Sequence, residues 1–569
     1  MAILLAAMPP GSAFAFQDEE ANPAPNTGGD LVAYDSIHLP TLGRQGMVVA
    51  QSEIAAAVGR QILREGGNAV DAAVAVAVTE ALTLPRAGNL GGGGYMLVYN
   101  AADKTTTAIE YYGQAPLAVT PDLLLGANGK RDPEKTMSFK GVSVPGTVAG
   151  LEEAHKRFGK LPWAKLLQPA IDLATNGVVL SDDEAQALVA RHKQMEKDPE
   201  GAAKVFFKPD GSAYKAGEVF RNPDLAWTLK QIQAHGADGF YHGEVARRLV
   251  DGVRKGGGVL SEADLAAYKP HVTAPIWSTY RGHRIAYMPP TSAGSSVAEA
   301  MNILEQFPVA SLGQGNIATM HLIAETMKIV YADRRYEDSG TDTAYIKSLV
   351  SKEFGKERAN LISMDRSLHR EDLPPVDAAP YESPNTTQFS IVDSADDVVT
   401  NTFTLSASFG AHVVAPGTGF LLNNSMENFS WGSGARSHDN DVAPGKRARS
   451  TISPLIVFRE DKPWLATGTP GGNTIICTMV QMLVNVIDFK LNISEATERP
   501  RIYQAGVDGP LELENGIPSD LVNGLEAKGH KVERSKTIGS TQSIVIGPDG
   551  ILYGAADTRR PGAGADAVQ

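Results

Sequence analysis

The stretch SPNTTQFSIVD, residues 383–393, sets two threonines, Thr386 and Thr387, at the mouth of a β-type run. Inside an intact chain a threonine hydroxyl is a poor nucleophile, and the pair is simply a β-branched start to a strand. Cutting the Asn385–Thr386 bond changes the chemistry. Thr386 then carries a free α-amine with an ordinary pKa of about 8, close enough to its own Oγ to take the hydroxyl proton. One residue becomes nucleophile and base together. The preceding segment, 365–385, is polar, holds four prolines and has no apolar period, so it reads as an exposed linker where a cut is accessible.

Such a residue needs a rigid frame, and the chain supplies one. IAAAVGRQILREGG reads as a helix ending at Gly66–Gly67, and NAVDAAVAVAVTEALTL as a helix apolar nearly all round, which belongs between layers. After Pro85, RAGNLGGGGYMLVYN is a glycine-rich turn running into a strand, and TTTAIEYY alternates as a second. Gly91–Gly94 lacks the GKS or GKT ending of a phosphate loop and precedes a strand, so close backbone approach is the better reading. Residues 141–364 read as mostly helical, punctuated by Pro145–Gly146, Pro289–Pro290 and YADRRYED. Further on, TTQFSIVD, NTFTLSAS, SPLIVFRE and TQSIVIG read as strands and TMVQMLVNVIDF as a buried helix. The order implies an α/β protein with stacked sheets between helical layers.

Composition narrows the classes. A chain of 569 residues, 43% hydrophobic, can bury a large core, and a net charge of −13 without a basic run argues against nucleic acid. The single cysteine, Cys477, sits in the apolar run IICTMVQMLVNVI, which excludes an internal disulfide and makes a buried small hydrophobe the expected role. MAILLAAMPPGSAFAF resembles a secretory signal, residues 1–15, cleaved after Ala13–Phe14–Ala15, although the usual basic start is missing. Export to the periplasm or beyond is the expectation, with no membrane span in the mature protein. His438–Asp439–Asn440–Asp441 lacks calcium-loop spacing and reads as a solvated loop.

Eleven stretches in one order, GGNAVDAAVAVAV, PRAGNLGGGGYML, VPGTVAG, LAAYKP, YRGHRIAYMPPTSAG, MNILEQF, NTTQFSIVD, GFLLNNSMENFS, KRARSTISP, GTPGGNTII and GSTQSIVIGPDG, carry a resemblance. Over nearly its whole length the chain resembles the γ-glutamyltranspeptidase family of N-terminal-nucleophile hydrolases. The resemblance implies a four-layer αββα sandwich made as one precursor that cleaves itself, residues 16–385 becoming the large subunit and 386–569 the small one, the two remaining paired. It implies an amide hydrolase or acyltransferase working through an acyl-threonine on a small-molecule amide, γ-glutamyl or related, without metal or organic cofactor. Thr386 falls on the nucleophile and Thr404 on the threonine that hydrogen-bonds it and helps processing. Gly471 and Gly472 fall on the pair whose N–H groups form the oxyanion hole, and Ser450 and Thr451 on a serine pair at the substrate's carboxylate end. The 438–441 region falls on a lid over the pocket.

Four positions depart from that pattern. Tyr112 stands where the family has an arginine for the α-carboxylate, and Asn428 where it has an acid for the α-amine. Ser406 replaces an asparagine, and Ser425 a glutamine or glutamate. Charge-assisted bonds are roughly twice as strong as neutral ones, so a zwitterionic glutamyl head should be held weakly. Two alternatives follow: an acylase acting on a non-glutamyl amide, and an uncleaved, non-catalytic binding protein. Arg86, beside the glycine turn, is a candidate substitute cation.

Overall fold

The computed structural model describes residues 36–334, 343–373, 386–432 and 440–569. The signal-like stretch 1–15, Asn385 and residues 438–439 lie outside them. Two seven-stranded antiparallel sheets form the centre. The first runs Gly564–Val568, Gly46–Ala50, Thr386–Asp393, Val398–Thr404, Gly93–Asn100, Thr105–Glu110, His271–Thr273. The second runs Thr41–Gly43, Leu552–Ala556, Gln542–Ile546, Lys462–Thr467, Leu455–Arg459, His283–Tyr287, Ile276–Tyr280.

Strand alternation sorts the layers. Val48, Ala50, Phe389 and Ile391 pack with the helices Glu53–Arg64 and Ala69–Thr83, while Met47, Val49 and Val392 face the second sheet. The helices Gly294–Leu304, Ile317–Arg334 and Ile475–Ile487 cover the second sheet's far side. The result is the αββα sandwich. The Ala69–Thr83 helix begins on a capping box between Asn68 and Asp71 and is buried from Ala69 to Leu82, as its all-round apolar sequence requires. Cys477 is buried in the Ile475–Ile487 helix, its thiol pushed up to about 12 by burial, and donates to the Ile502 carbonyl at 3.3 Å. It behaves as a small hydrophobe.

The glycine run works by proximity. Gly93 and Gly94 pair with Thr404 and Phe403, and a Cβ at Gly92 would press into the Thr404 carbonyl oxygen. Only a bare backbone lets this turn lie against the end of the neighbouring strand.

Residues 141–364 are mostly helical, as expected, and also hold a β-hairpin, Ile276–Tyr280 with His283–Tyr287, which completes the second sheet's edge. Its Arg281–Gly282 turn was the sequence signal. Two other readings need correction. YADRRYED is not a break at its start, because Tyr331–Arg334 are the last turn of a helix. The linker is not exposed throughout: of its described part, Ser367, Leu368 and Leu373 are buried.

Candidate active site

Thr386 and Thr404 lie opposite each other at the ends of adjacent central strands, so their side chains share one face. The Thr386 hydroxyl donates to Thr404 Oγ1 at 3.2 Å, and Thr404 Oγ1 also accepts from the Ser406 N–H at 2.9 Å. Both threonines are buried. Alternation puts Thr386 on the intersheet side with Ser390, whose hydroxyl donates to the Gln542 carbonyl of the second sheet at 2.8 Å. Thr387 points the other way, into the helices.

There it meets Glu80, which sequence reasoning missed. Thr387 Oγ1 donates to Glu80 Oε2 at 3.0 Å, while Glu80 Oε1 has no hydrogen-bond partner among the described residues. Complete burial raises this carboxyl to about 8, against the lowering effect of the Thr387 bond. The signal was a lone glutamate inside an Ala/Val helix. The unfolded carboxyl titrates near 4.5 and the folded one near 8. Between those values only the folded state keeps the proton, so stability is full below the lower value and falls as pH rises through the upper one. Glu80→Gln is expected to flatten that loss: thermal scans should show the variant gaining on the wild type from pH 5 to pH 8. A gap that stays constant with pH refutes the assignment.

The four positions that depart from the family pattern come together as one cluster. Asn428 Nδ2 donates to the Tyr112 hydroxyl at 2.5 Å and to Ser406 Oγ at 3.2 Å, and Ser406 Oγ lies 3.0 Å from Ser425 Oγ. All four are buried, and none carries a formal charge. Asn428 Oδ1 has no hydrogen-bond partner among the described residues. Ser406 takes φ +75, a left-handed conformation that side-chain-bearing residues adopt at a cost, and this aims its N–H at Thr404. The cluster is therefore two hydrogen bonds from the Thr386 hydroxyl.

Behind it, Tyr112 stacks on Tyr95 at 5.3 Å, and the Tyr95 hydroxyl lies 2.7 Å from Thr291 Oγ1, which donates to Glu110 at 2.8 Å. Ser450 N–H donates to the Thr291 carbonyl at 2.9 Å, tying that serine to the same support. Tyr95 and Thr291 were not singled out from sequence, because only the fold brings them behind Tyr112. Arg86 is not available as a substitute cation: its guanidinium is paired with Asp183 and, at 2.7 Å, with Glu184. Arg447 is likewise engaged by Glu110 at 3.6 Å and by the Lys269 carbonyl at 2.6 Å.

Gly471 and Gly472 follow the strand Lys462–Thr467, with φ of +143 and +55. At Gly471 that value is open essentially to glycine alone. Thr451 Oγ1 donates to the Gly472 carbonyl at 2.8 Å, and the Tyr331 hydroxyl to the Asn473 carbonyl. Those bonds hold the carbonyls of the turn to the side.

An αββα sandwich with a threonine pair at the head of two central strands defines the N-terminal-nucleophile class of hydrolase. The gamma-glutamyltranspeptidase family model matches residues 55–567, and the chain belongs to that family. It is 39% identical over 568 residues to a glutathione hydrolase proenzyme of Escherichia coli (strain K12), covering 98% of this chain and 97% of that one. It is 36% identical over 536 residues to an acylase ACY 1 proenzyme of Pseudomonas sp. (strain V22), covering 92% and 94%. Among solved structures, cephalosporin acylase from Bacillus halodurans superimposes with a TM-score of 0.84 at 28% identity, covering 95% of this chain and 99% of that one. The protein is an enzyme, a self-processing amide hydrolase or acyltransferase of γ-glutamyltranspeptidase type. Among the described residues, no helix is long and apolar enough to cross a membrane.

Proposed function

We propose that the chain is cut between Asn385 and Thr386 and that Thr386 is the nucleophile of the mature enzyme. Its α-amine takes the Oγ proton as Oγ bonds to a substrate amide carbon, with the Gly471 and Gly472 N–H groups receiving the oxyanion. The C–N bond then breaks, the proton passes to the leaving amine, and an acyl-threonine remains. Water or a second amine takes the acyl group and restores the hydroxyl. Thr404 keeps the Thr386 hydroxyl oriented, and Ser450 and Thr451 line the substrate side. The observation that carries this reading is the buried Thr386–Thr404 hydroxyl pair at 3.2 Å. Residues 16–385 and 386–569 are then the two subunits, and the signal-like start assigns the enzyme to the periplasm or the exterior.

For the acyl group, a γ-glutamyl or related amide follows from the family, and one observation favours a non-glutamyl member of that range. The Tyr112–Ser406–Ser425–Asn428 cluster offers neutral hydrogen bonds where a zwitterion needs opposite charges. Comparing kcat/KM for γ-glutamyl p-nitroanilide with p-nitroanilides of unsubstituted acyl chains tests it. The simple acyl anilides should match or exceed the glutamyl one, and the Tyr112→Arg, Asn428→Asp double variant should raise the glutamyl value about tenfold or more, since a charge-assisted bond contributes about 1.5–3 kcal/mol. Efficient, selective glutamyl release by the unmodified enzyme would refute the non-glutamyl reading and leave the nucleophile untouched.

A further inference from the structure

The attacking hydroxyl and the oxyanion donors of the proposed mechanism belong to different sheets. Thr386 heads a strand of the first, while Gly471 and Gly472 follow a strand of the second. The two strands, Thr386–Asp393 and Lys462–Thr467, are distant in the chain, so the separation of these groups depends on how the sheets sit against each other. Apolar packing is non-directional and holds such a separation loosely. Between the sheets the facing side chains are apolar at one end, with Val392 and Val398, and polar at the threonine end, with Gln388, Ser390, Thr400 and Thr402, all buried.

Gln388, two residues after Thr386 and on the same face, lies at the centre of that polar end. Its Oε1 accepts the Thr402 hydroxyl, and its Nε2 donates to the Phe389 carbonyl at 2.8 Å and to Thr400 Oγ1 at 2.9 Å. The Phe389 carbonyl can only accept, which fixes the orientation of the amide. Thr400 Oγ1 in turn donates across the gap to the Thr467 carbonyl at 3.1 Å. Thr467 ends its strand, and the next residue, Gly468, is three positions before Gly471. Gly468 also lies against Gln388: a Cβ there would press into the amide. Each of these bonds tolerates only about 2.7–3.2 Å, and a displaced sheet would leave buried polar atoms unpaired.

We infer that Gln388 and Thr400 are positioning residues for the reaction: they clamp the strand that carries Thr386 to the strand end that carries Gly471 and Gly472, and so set the distance from the attacking oxygen to the oxyanion donors. This rests on the roles proposed for Thr386, Gly471 and Gly472. Faulty alignment has its own kinetic signature. A displacement of about 1 Å can cost about a hundredfold in rate. The loss falls on kcat, where charge develops, while KM holds.

The test is kcat and KM per cleaved molecule, measured beside thermal melting, on whichever p-nitroanilide, γ-glutamyl or simple acyl, the wild type cleaves faster. Gln388→Met keeps the length of the side chain and removes the amide. Thr400→Val keeps the shape and removes the bond across the gap, and it keeps the test open should Gln388→Met fail to fold. In each, kcat should fall about tenfold or more with KM within about twofold. Thr400→Ser retains the hydroxyl and should restore wild-type kcat. Gly468→Ala drives a methyl into the amide and should also lower kcat, by less in a Gln388→Ala background, because residues in contact do not act additively. Ser543→Ala is the control: it removes the 2.7 Å hydroxyl bond between Thr467 and Ser543, which lies within the second sheet, and should lower the melting temperature but not kcat. Folded Gln388→Met and Thr400→Val enzymes with kcat within about twofold of wild type overturn the proposal. So does a Ser543→Ala enzyme that loses kcat in step with them, since the network would then only stabilise the fold. Thr386→Ala with activity above background instead overturns the nucleophile assignment, whatever the Gln388 variants show.

Discussion

Thr386→Ala is expected to give a full-length chain that stays uncut and shows no amidase activity above the uncatalysed background. Both effects have one cause. In the proposed mechanism the side chain that attacks its own preceding carbonyl is also the one that attacks substrate, and alanine has no oxygen for either step. The fold should survive, because Thr386 lies at the end of its strand and its side chain makes one described hydrogen bond, to Thr404. Losing such a bond costs about 0.5–1.5 kcal/mol, too little to unfold a domain of this size. Thr386→Ser keeps the hydroxyl and should retain both processing and turnover. Denaturing gels with N-terminal sequencing of the small fragment, together with an anilide assay, decide the matter. If Thr386→Ala still yields a fragment beginning at residue 386, or if the wild type stays a single band while active, the mechanism is wrong. A wild type that is uncut and inactive would remove Thr386 from both roles.

The second large effect is expected at Gly471. Its φ of +143 is nearly closed to residues with a Cβ, and an added methyl would also crowd Thr474 Oγ1. Gly471→Ala should therefore rotate the peptide group and misaim an N–H donor. Removing one oxyanion donor costs about 10²–10³ in kcat, or about 3–4 kcal/mol. KM should change little, since the donor matters where charge develops. The measurement is kcat and KM per cleaved molecule, with the two-fragment pattern confirming that the variant has processed. Activity within about threefold of wild type would remove Gly471 from the oxyanion role.

What could be read directly was local. TTQFSIVD is a strand with the predicted boundaries, Thr386–Asp393, because a β-branched alternating run has few other ways to bury itself. The Ala/Val helix and the glycine run gave themselves away similarly, one through being apolar on every side, the other through the lack of side chains where two backbones touch. Motif order carried the family. Other features depend on distance in space. Tyr112, Ser406, Ser425 and Asn428 are up to 316 positions apart, and only the fold makes them one hydrogen-bonded group. Arg86 sits beside the right turn in the chain, yet its charge is spent on Asp183 and Glu184, which no local reading could foresee. Ser367 and Leu368 sit in a polar, proline-containing stretch and are buried all the same, because residues 209 positions apart, His321 and His530, meet beside them.

The sequence alone determined the chemistry proposed for this chain, since a threonine freed as a terminus would carry its base with it. Only the tertiary structure decided what surrounds that hydroxyl. Hydrogen bonds and charge pairing act over a few ångströms of space, whatever the separation along the chain.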